Sequence, residues 1–174
     1  MHYHLFETHL GFAGIAWNDE GIVTRFRLPD PDRANAEKQF KGEAAAPPPS
    51  VDAIVAQAKR YFAGEPIDFT PIPLDLDGIE PFRRAVYEAL RKVSFGETVT
   101  YGELAKRAGA DAPQAAQDVG VAMARNPVPL IIPCHRVLAA GGKLGGFSAP
   151  GRTETKQKML ALEGVFIGNQ PRLL

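Results

Sequence analysis

The chain has 174 residues, of which 45% are hydrophobic, so it is long enough to bury a core as one domain or as two small ones. Twenty Lys+Arg balance twenty Asp+Glu, and no segment approaches the roughly 20 apolar residues that span a bilayer. A single cysteine excludes an internal disulfide and a multi-cysteine zinc site.

The charge is unevenly placed: residues 1–79 carry 7 Lys+Arg against 12 Asp+Glu, and residues 80–174 carry 13 against 8. Two units are expected, an α+β domain over 1–79 and a second domain over 80–174 that meets a polyanion. The opening MHYHLFETHL has no basic segment followed by an apolar run, so a cytoplasmic protein is expected.

In chain order, FETHLGFAGIAWNDEGIVTRFRLP reads as two strand-like runs joined at Asn18-Asp19-Glu20-Gly21, a hairpin signal. Ala and Pro dominate the connector KGEAAAPPPS. After it, Ser50 is expected to cap a helix whose Ile54, Ala58, Tyr61 and Phe62 recur at helical spacing. PIDFTPIPLDLDG reads as extended chain.

A helix is predicted from Pro81, with Phe82, Val86, Ala89, Leu90 and Val93 on one face and its end near Gly96. Two further helices, one over TYGELAKRAG and one opened by Pro113 and ended by Asn126-Pro127, have the outline of a helix-turn-helix. VPLIIPCHRVL follows as an apolar run broken by prolines, then a Gly-rich turn. TETKQKMLALEG closes as an amphipathic helix with Met159, Leu160 and Leu162 available for packing.

Cys134 is followed by His135 and Arg136. A thiol attacks as thiolate and needs a basic or cationic neighbour at neutral pH, yet adjacency alone more often marks a buried cysteine beside a surface histidine. The wider string carries more. Asn126-Pro127-Val128-Pro129-Leu130-Ile131-Ile132-Pro133-Cys134-His135-Arg136-Val137 resembles the active-site motif of the O6-alkylguanine-DNA alkyltransferases, also called methylated-DNA–protein-cysteine methyltransferases. The likeness extends to Thr100-Tyr101-Gly102-Glu103-Leu104-Ala105 before it, and to Gly145-Gly146-Phe147-Ser148 and Leu162-Glu163-Gly164 after it, in the family's order and spacing.

The resemblance implies repair of alkylated DNA by one irreversible transfer of an alkyl group from O6-alkylguanine to Cys134. In that scheme His135 is the base, acting through a water, and Glu163 orients it. Asn126 ties the helix-turn-helix to the cysteine segment, and Tyr101 helps to rotate the target phosphate and protonates the departing guanine. Gly146, Phe147 and Ser148 belong to the loop that receives a base flipped from the duplex. Tyr101, Ala115, Ala116, Gln117, Gly120 and Arg136 face DNA, with the second helix in the minor groove. The implied fold is a ribonuclease H-like amino-terminal α/β domain, assigned by analogy, and a mainly helical, winged-helix-like carboxy-terminal domain. The partner is double-stranded DNA bearing O6-alkylguanine; no membrane, metal or cofactor is called for, and a monomer is expected.

Two positions depart from the family pattern. Gln117, followed by Asp118, stands where an arginine usually intercalates, which predicts weaker or slower handling of duplex DNA. Arg152 stands where relatives commonly have a glycine after the pocket loop. The zinc site of some family members is excluded because the one cysteine is already used, and His2, His4 and His9 read as strand or terminal residues. Competing readings are a damaged-base binder of the alkyltransferase-like type, which lacks the cysteine, a helix-turn-helix regulator, and a thiol hydrolase.

Overall fold

The computed structural model describes residues 1–144 and 152–167. The chain separates into two compact units, Met1–Asp77 with Pro127–Ile131 and Gly78–Asn126 with Ile132–Leu174. Its elements are mixed α and β, as the sequence predicted for the class.

In the first unit three antiparallel strands, β1 (His2–Thr8), β2 (Gly11–Trp17) and β3 (Val23–Asp30), are joined by a short β4 (Glu43–Ala44) parallel to β1, in the order β3-β2-β1-β4. The first expected run is therefore two strands, not one. It breaks because Gly11 takes φ +124°, where a Cβ would lie 2.6 Å from the Asp30 carbonyl oxygen, and Thr8 closes the turn by donating to the Gly11 carbonyl at 2.8 Å. The second turn falls where Asn18 to Gly21 predicted it: Asn18 Oδ1 accepts from the Glu20 and Ile22 amides at 2.9 and 3.0 Å.

Strand alternation gives the sheet two apolar faces. Phe6, Ile15 and Phe26 share one; Tyr3, Leu5 and Ala16 share the other, where they form a small core with Ala36 of α1 (Arg33–Lys38) and with Phe40 beyond its end. Helix α2 (Pro49–Phe62) packs against β1 and buries Val51, Ile54, Val55, Ala58, Tyr61 and Phe62. It starts one residue before the expected cap. Pro49 fills the first helical position, where its missing N–H costs nothing, so Ser50 is not needed as a cap.

Residues 127–131 fall in this first unit although both flanks fall in the second. The Pro127 carbonyl accepts from the Phe26 amide of β3 at 3.0 Å. Three residues on, buried Leu130 holds φ +79°, an unusual backbone for a branched side chain.

The second unit gathers α3 (Pro81–Arg91), α4 (Tyr101–Arg107) and α5 (Ala115–Ala124) against one another. The apolar face predicted for α3 is buried at Val86, Leu90 and Val93, and Tyr87 joins it. Thr100 caps α4, accepting from the Glu103 amide at 3.1 Å. Regular helix in α5 begins two residues after Pro113, since residues 112–114 first form a turn. Two-residue strands β5 (Val99–Thr100) and β6 (Val137–Leu138) pair in parallel, and α6 (Arg152–Leu162) buries Met159 and Leu160. Among the described residues no helix is long and apolar enough to cross a membrane.

Candidate active site

Cys134 opens a 3-10 turn, Cys134–Arg136, whose last residue donates its amide to the Pro133 carbonyl at 2.9 Å. Only 8% of Cys134 is exposed. The turn directs His135 and Arg136 into the protein, where they are 2% and 7% exposed. Both end on one carboxylate, that of Glu163, whose side chain is fully buried just past the end of α6.

Glu163 is the hub of the site. Its Oε2 lies 2.6 Å from His135 Nε2; its Oε1 accepts from Arg136 Nε at 2.8 Å and from the Gly96 amide at 2.9 Å. Arg136 Nη2 adds a contact to Oε2 at 3.2 Å, and Nη1 donates to the Val93 carbonyl at 2.7 Å. The fork meets the carboxylate at two points, the strongest form of such a pair.

Burial pushes the Glu163 carboxyl up, but the hydrogen bonds and charges of His135 and Arg136 outweigh it and bring the group down to about 2. Glu163 is therefore ionised and can only accept, so the hydrogen on Nε2 belongs to His135. Burial lowers the His135 pKa, with Arg136 and Lys156 acting in the same sense against the pull of Glu163. The imidazole is neutral at physiological pH, and its Nδ1 is the basic nitrogen.

Behind the cysteine, the Ile132 carbonyl accepts from Asn126 Nδ2 and from the Cys134 amide, both at 2.8 Å. Asn126 lies one residue past the Arg125 cap of α5 and so joins that helix to the cysteine turn. Tyr101, the first residue of α4, is half-buried; burial raises its pKa, and a negative charge on Cys134 raises it further. Lys156 on α6 is 3% exposed and donates from Nζ to the Val137 and Leu144 carbonyls; burial lowers it to about 8.

The structure thus brings Cys134, His135, Glu163 and Asn126 together. Gln117 is exposed on α5, Ala116 and Gly120 are half-buried, and Gln114 Nε2 donates to Gln117 Oε1 at 2.6 Å. Two residues expected to face DNA are buried. Ala115 is buried with Val119, Ala122 and Met123 on the packed side of α5. Arg136 is buried and its guanidinium is committed to Glu163 and Val93, because a carboxylate with no solvent needs a permanent counter-charge. Gly146, Phe147 and Ser148 lie outside the described residues.

Sequence reasoning missed Lys156 and the inward role of Arg136. Lys156 had a signal: it stands three and four residues before Met159 and Leu160 and seven before Glu163, all on one helical face.

Residues 81–165 match the family model described as 6-O-methylguanine DNA methyltransferase, DNA binding domain. A methylated-DNA–protein-cysteine methyltransferase of Mycolicibacterium paratuberculosis is 38% identical over 94% of this chain and 92% of its own length. One of the same name from Methanosarcina acetivorans is 36% identical over 94% and 99%. Among solved structures, Mycobacterium tuberculosis OGT in complex with DNA superposes with a TM-score of 0.74 at 36% identity, covering 94% of this chain and 92% of that one. The O6-methylguanine-DNA methyltransferase of Pyrococcus kodakaraensis gives 0.68 at 26% identity, covering 94% and 99%.

Proposed function

The chain belongs to the methylated-DNA–protein-cysteine methyltransferases, and from that premise we propose that it repairs DNA by taking the alkyl group of O6-alkylguanine onto Cys134 in a single turnover. The observation that carries this reading is the lone cysteine beside a neutral, buried histidine fixed at 2.6 Å by an ionised carboxylate. Such an arrangement lowers the cost of moving the thiol proton.

Bond by bond, the Cys134 proton passes through a water to His135 Nδ1, and the sulfur attacks the alkyl carbon. A carbon–sulfur bond forms as the bond from that carbon to guanine O6 breaks. The electron pair leaves with the guanine, which takes a proton from the Tyr101 hydroxyl. A thioether is not hydrolysed, so Cys134 is consumed and each molecule acts once.

The guanine must leave the base stack for its alkyl carbon to meet a sulfur so little exposed, and extrusion costs a few kcal/mol. Helices α4 and α5 serve as the helix-turn-helix, with Ala116, Gln117, Gly120 and Tyr101 toward the minor groove and Gly146, Phe147 and Ser148 receiving the base. Residues 1–79, joined by 127–131, form the ribonuclease H-like domain, and the rest of 80–174 the winged-helix-like alkyltransferase domain. The protein works as a cytoplasmic monomer on double-stranded DNA.

Intact-mass spectrometry after incubation with a duplex holding O6-methylguanine tests the activity. One added methyl per chain, located at Cys134 and absent from Cys134→Ser, is expected. An unmodified protein that binds the lesion would instead place the chain with the alkyltransferase-like binders, and repeated turnover of an ester would make it a hydrolase.

A further inference from the structure

For His135 to accept the thiol proton it must begin without one. A buried carboxylate hydrogen-bonded to a buried imidazole works against this, because the pair alone carries one uncompensated negative charge in a medium of low polarisability. It lowers its energy by binding a proton on the imidazole.

Arg136 removes that incentive. Its Nε and Nη2 face Oε1 and Oε2 of Glu163 at 2.8 and 3.2 Å, and Nη1 is anchored on the Val93 carbonyl at 2.7 Å, so the guanidinium has one place to be. Its charge does not titrate in a protein. The other groups that bear on His135 are Glu163 itself, which favours the imidazolium, and Lys156 on α6, which opposes it. Lys156 gives hydrogen bonds to the Val137 and Leu144 carbonyls, whereas the two-point grip on Glu163 comes from Arg136.

We infer that Arg136 is a positioning residue for the proton-transfer step: by matching the charge of Glu163 it keeps His135 neutral and proton-accepting, and by its two-point grip it fixes the carboxylate oxygen that holds Nε2. This rests on the proposed transfer to Cys134. It also accounts for why a cation adjoining the cysteine is buried and not offered to DNA.

The test follows the His135 imidazole by NMR titration, with the single-turnover methyl-transfer rate measured across pH on the same proteins. Arg136→Gln is expected to move the His135 titration up by about one unit or more, which lowers the rate by about tenfold at acid pH, below both midpoints, and lets it recover as the pH rises. Arg136→Lys keeps the cation without the fork, so it lowers the rate while leaving the titration near its native position; this variant decides alone if the neutral one does not fold. An unmoved titration in Arg136→Gln, with a rate reduced by one factor at every pH, overturns the inference, as does a shift in Arg136→Lys. Absence of transfer in the native protein would sink the proposed activity instead, and the titration would still report on Arg136.

Discussion

Asn126 and Cys134 share one acceptor: the side-chain amide of the first and the backbone amide of the second both donate to the Ile132 carbonyl at 2.8 Å. The end of α5 and the attacking sulfur are thereby held to a single oxygen, so a displacement of that helix is passed to the thiol. Removing one donor loosens the cysteine turn without touching its chemistry.

Asn126→Ala should therefore slow methyl transfer more than it weakens DNA binding, with a stability loss of about 1–2 kcal/mol. Single-turnover rates, duplex affinity and urea unfolding of the variant check this. Equal losses in rate and affinity would show that Asn126 acts on DNA and not on the turn.

Acid should unfold the protein through its active site. Folded Glu163 titrates at about 2 in place of 4.5, so its stabilisation is complete above pH 4.5 and is lost as the pH falls toward 2. Over that window the loss is of order 3 kcal/mol. His135 also has its folded pKa below 6.5, and its contribution, complete above 6.5, declines in the same direction. Urea midpoints taken from neutral pH down to about 3 should fall. In Glu163→Gln the drop below pH 4.5 should flatten, on a protein already weakened by about 3–5 kcal/mol because Arg136 is left buried without its carboxylate.

Tyr87 links α3 to α5: its hydroxyl donates to the buried Ala122 carbonyl at 2.7 Å and accepts from Arg83 Nη2 at 3.2 Å, while the same Nη2 reaches the Arg125 carbonyl at 3.3 Å. Tyr87→Phe keeps the ring and should cost about 1–2 kcal/mol in urea unfolding. A change below a few tenths of a kcal/mol would show that the hydroxyl bond adds nothing net.

Gln117 is exposed and neutral, at the position where the family resemblance implies an arginine. Gln117→Arg should bind duplex DNA more tightly and raise the slope of log affinity against log salt by about 0.9, one extra phosphate contact. Equilibrium binding at several salt concentrations measures it, and an unchanged slope would place residue 117 away from the DNA backbone.

What was legible in the sequence followed its strongest patterns. The stripe of Val86, Leu90 and Val93, the turn at Asn18 to Gly21, and the run from Asn126 to Val137 carry their own periodicity or spacing, and of that run the structure joins Asn126 and Cys134 on the Ile132 carbonyl. Helix α1 and strand β4 were not anticipated, since six and two residues hold too little pattern to stand out. Arg136 was expected from the resemblance to face DNA, and the structure buries it on Glu163. Nothing local reveals that a carboxylate 27 positions away will require it. Lys156 and Lys158 look alike in TETKQKM, yet one is buried on carbonyls and the other pairs with Glu154 at the surface.

The five residues 127–131 leave the company of their sequence neighbours to join the strands of the first unit, then return for the cysteine. Cutting the chain after Asp77 would therefore not release an independent catalytic piece. The shortened protein would carry a stretch deprived of its Phe26 partner, with Leu130 stranded in a costly backbone geometry only four residues upstream of the sulfur. Engineering a minimal version requires a substitute for that lost support, such as a redesigned bridge from Asn126 to Ile132, and not a simple truncation.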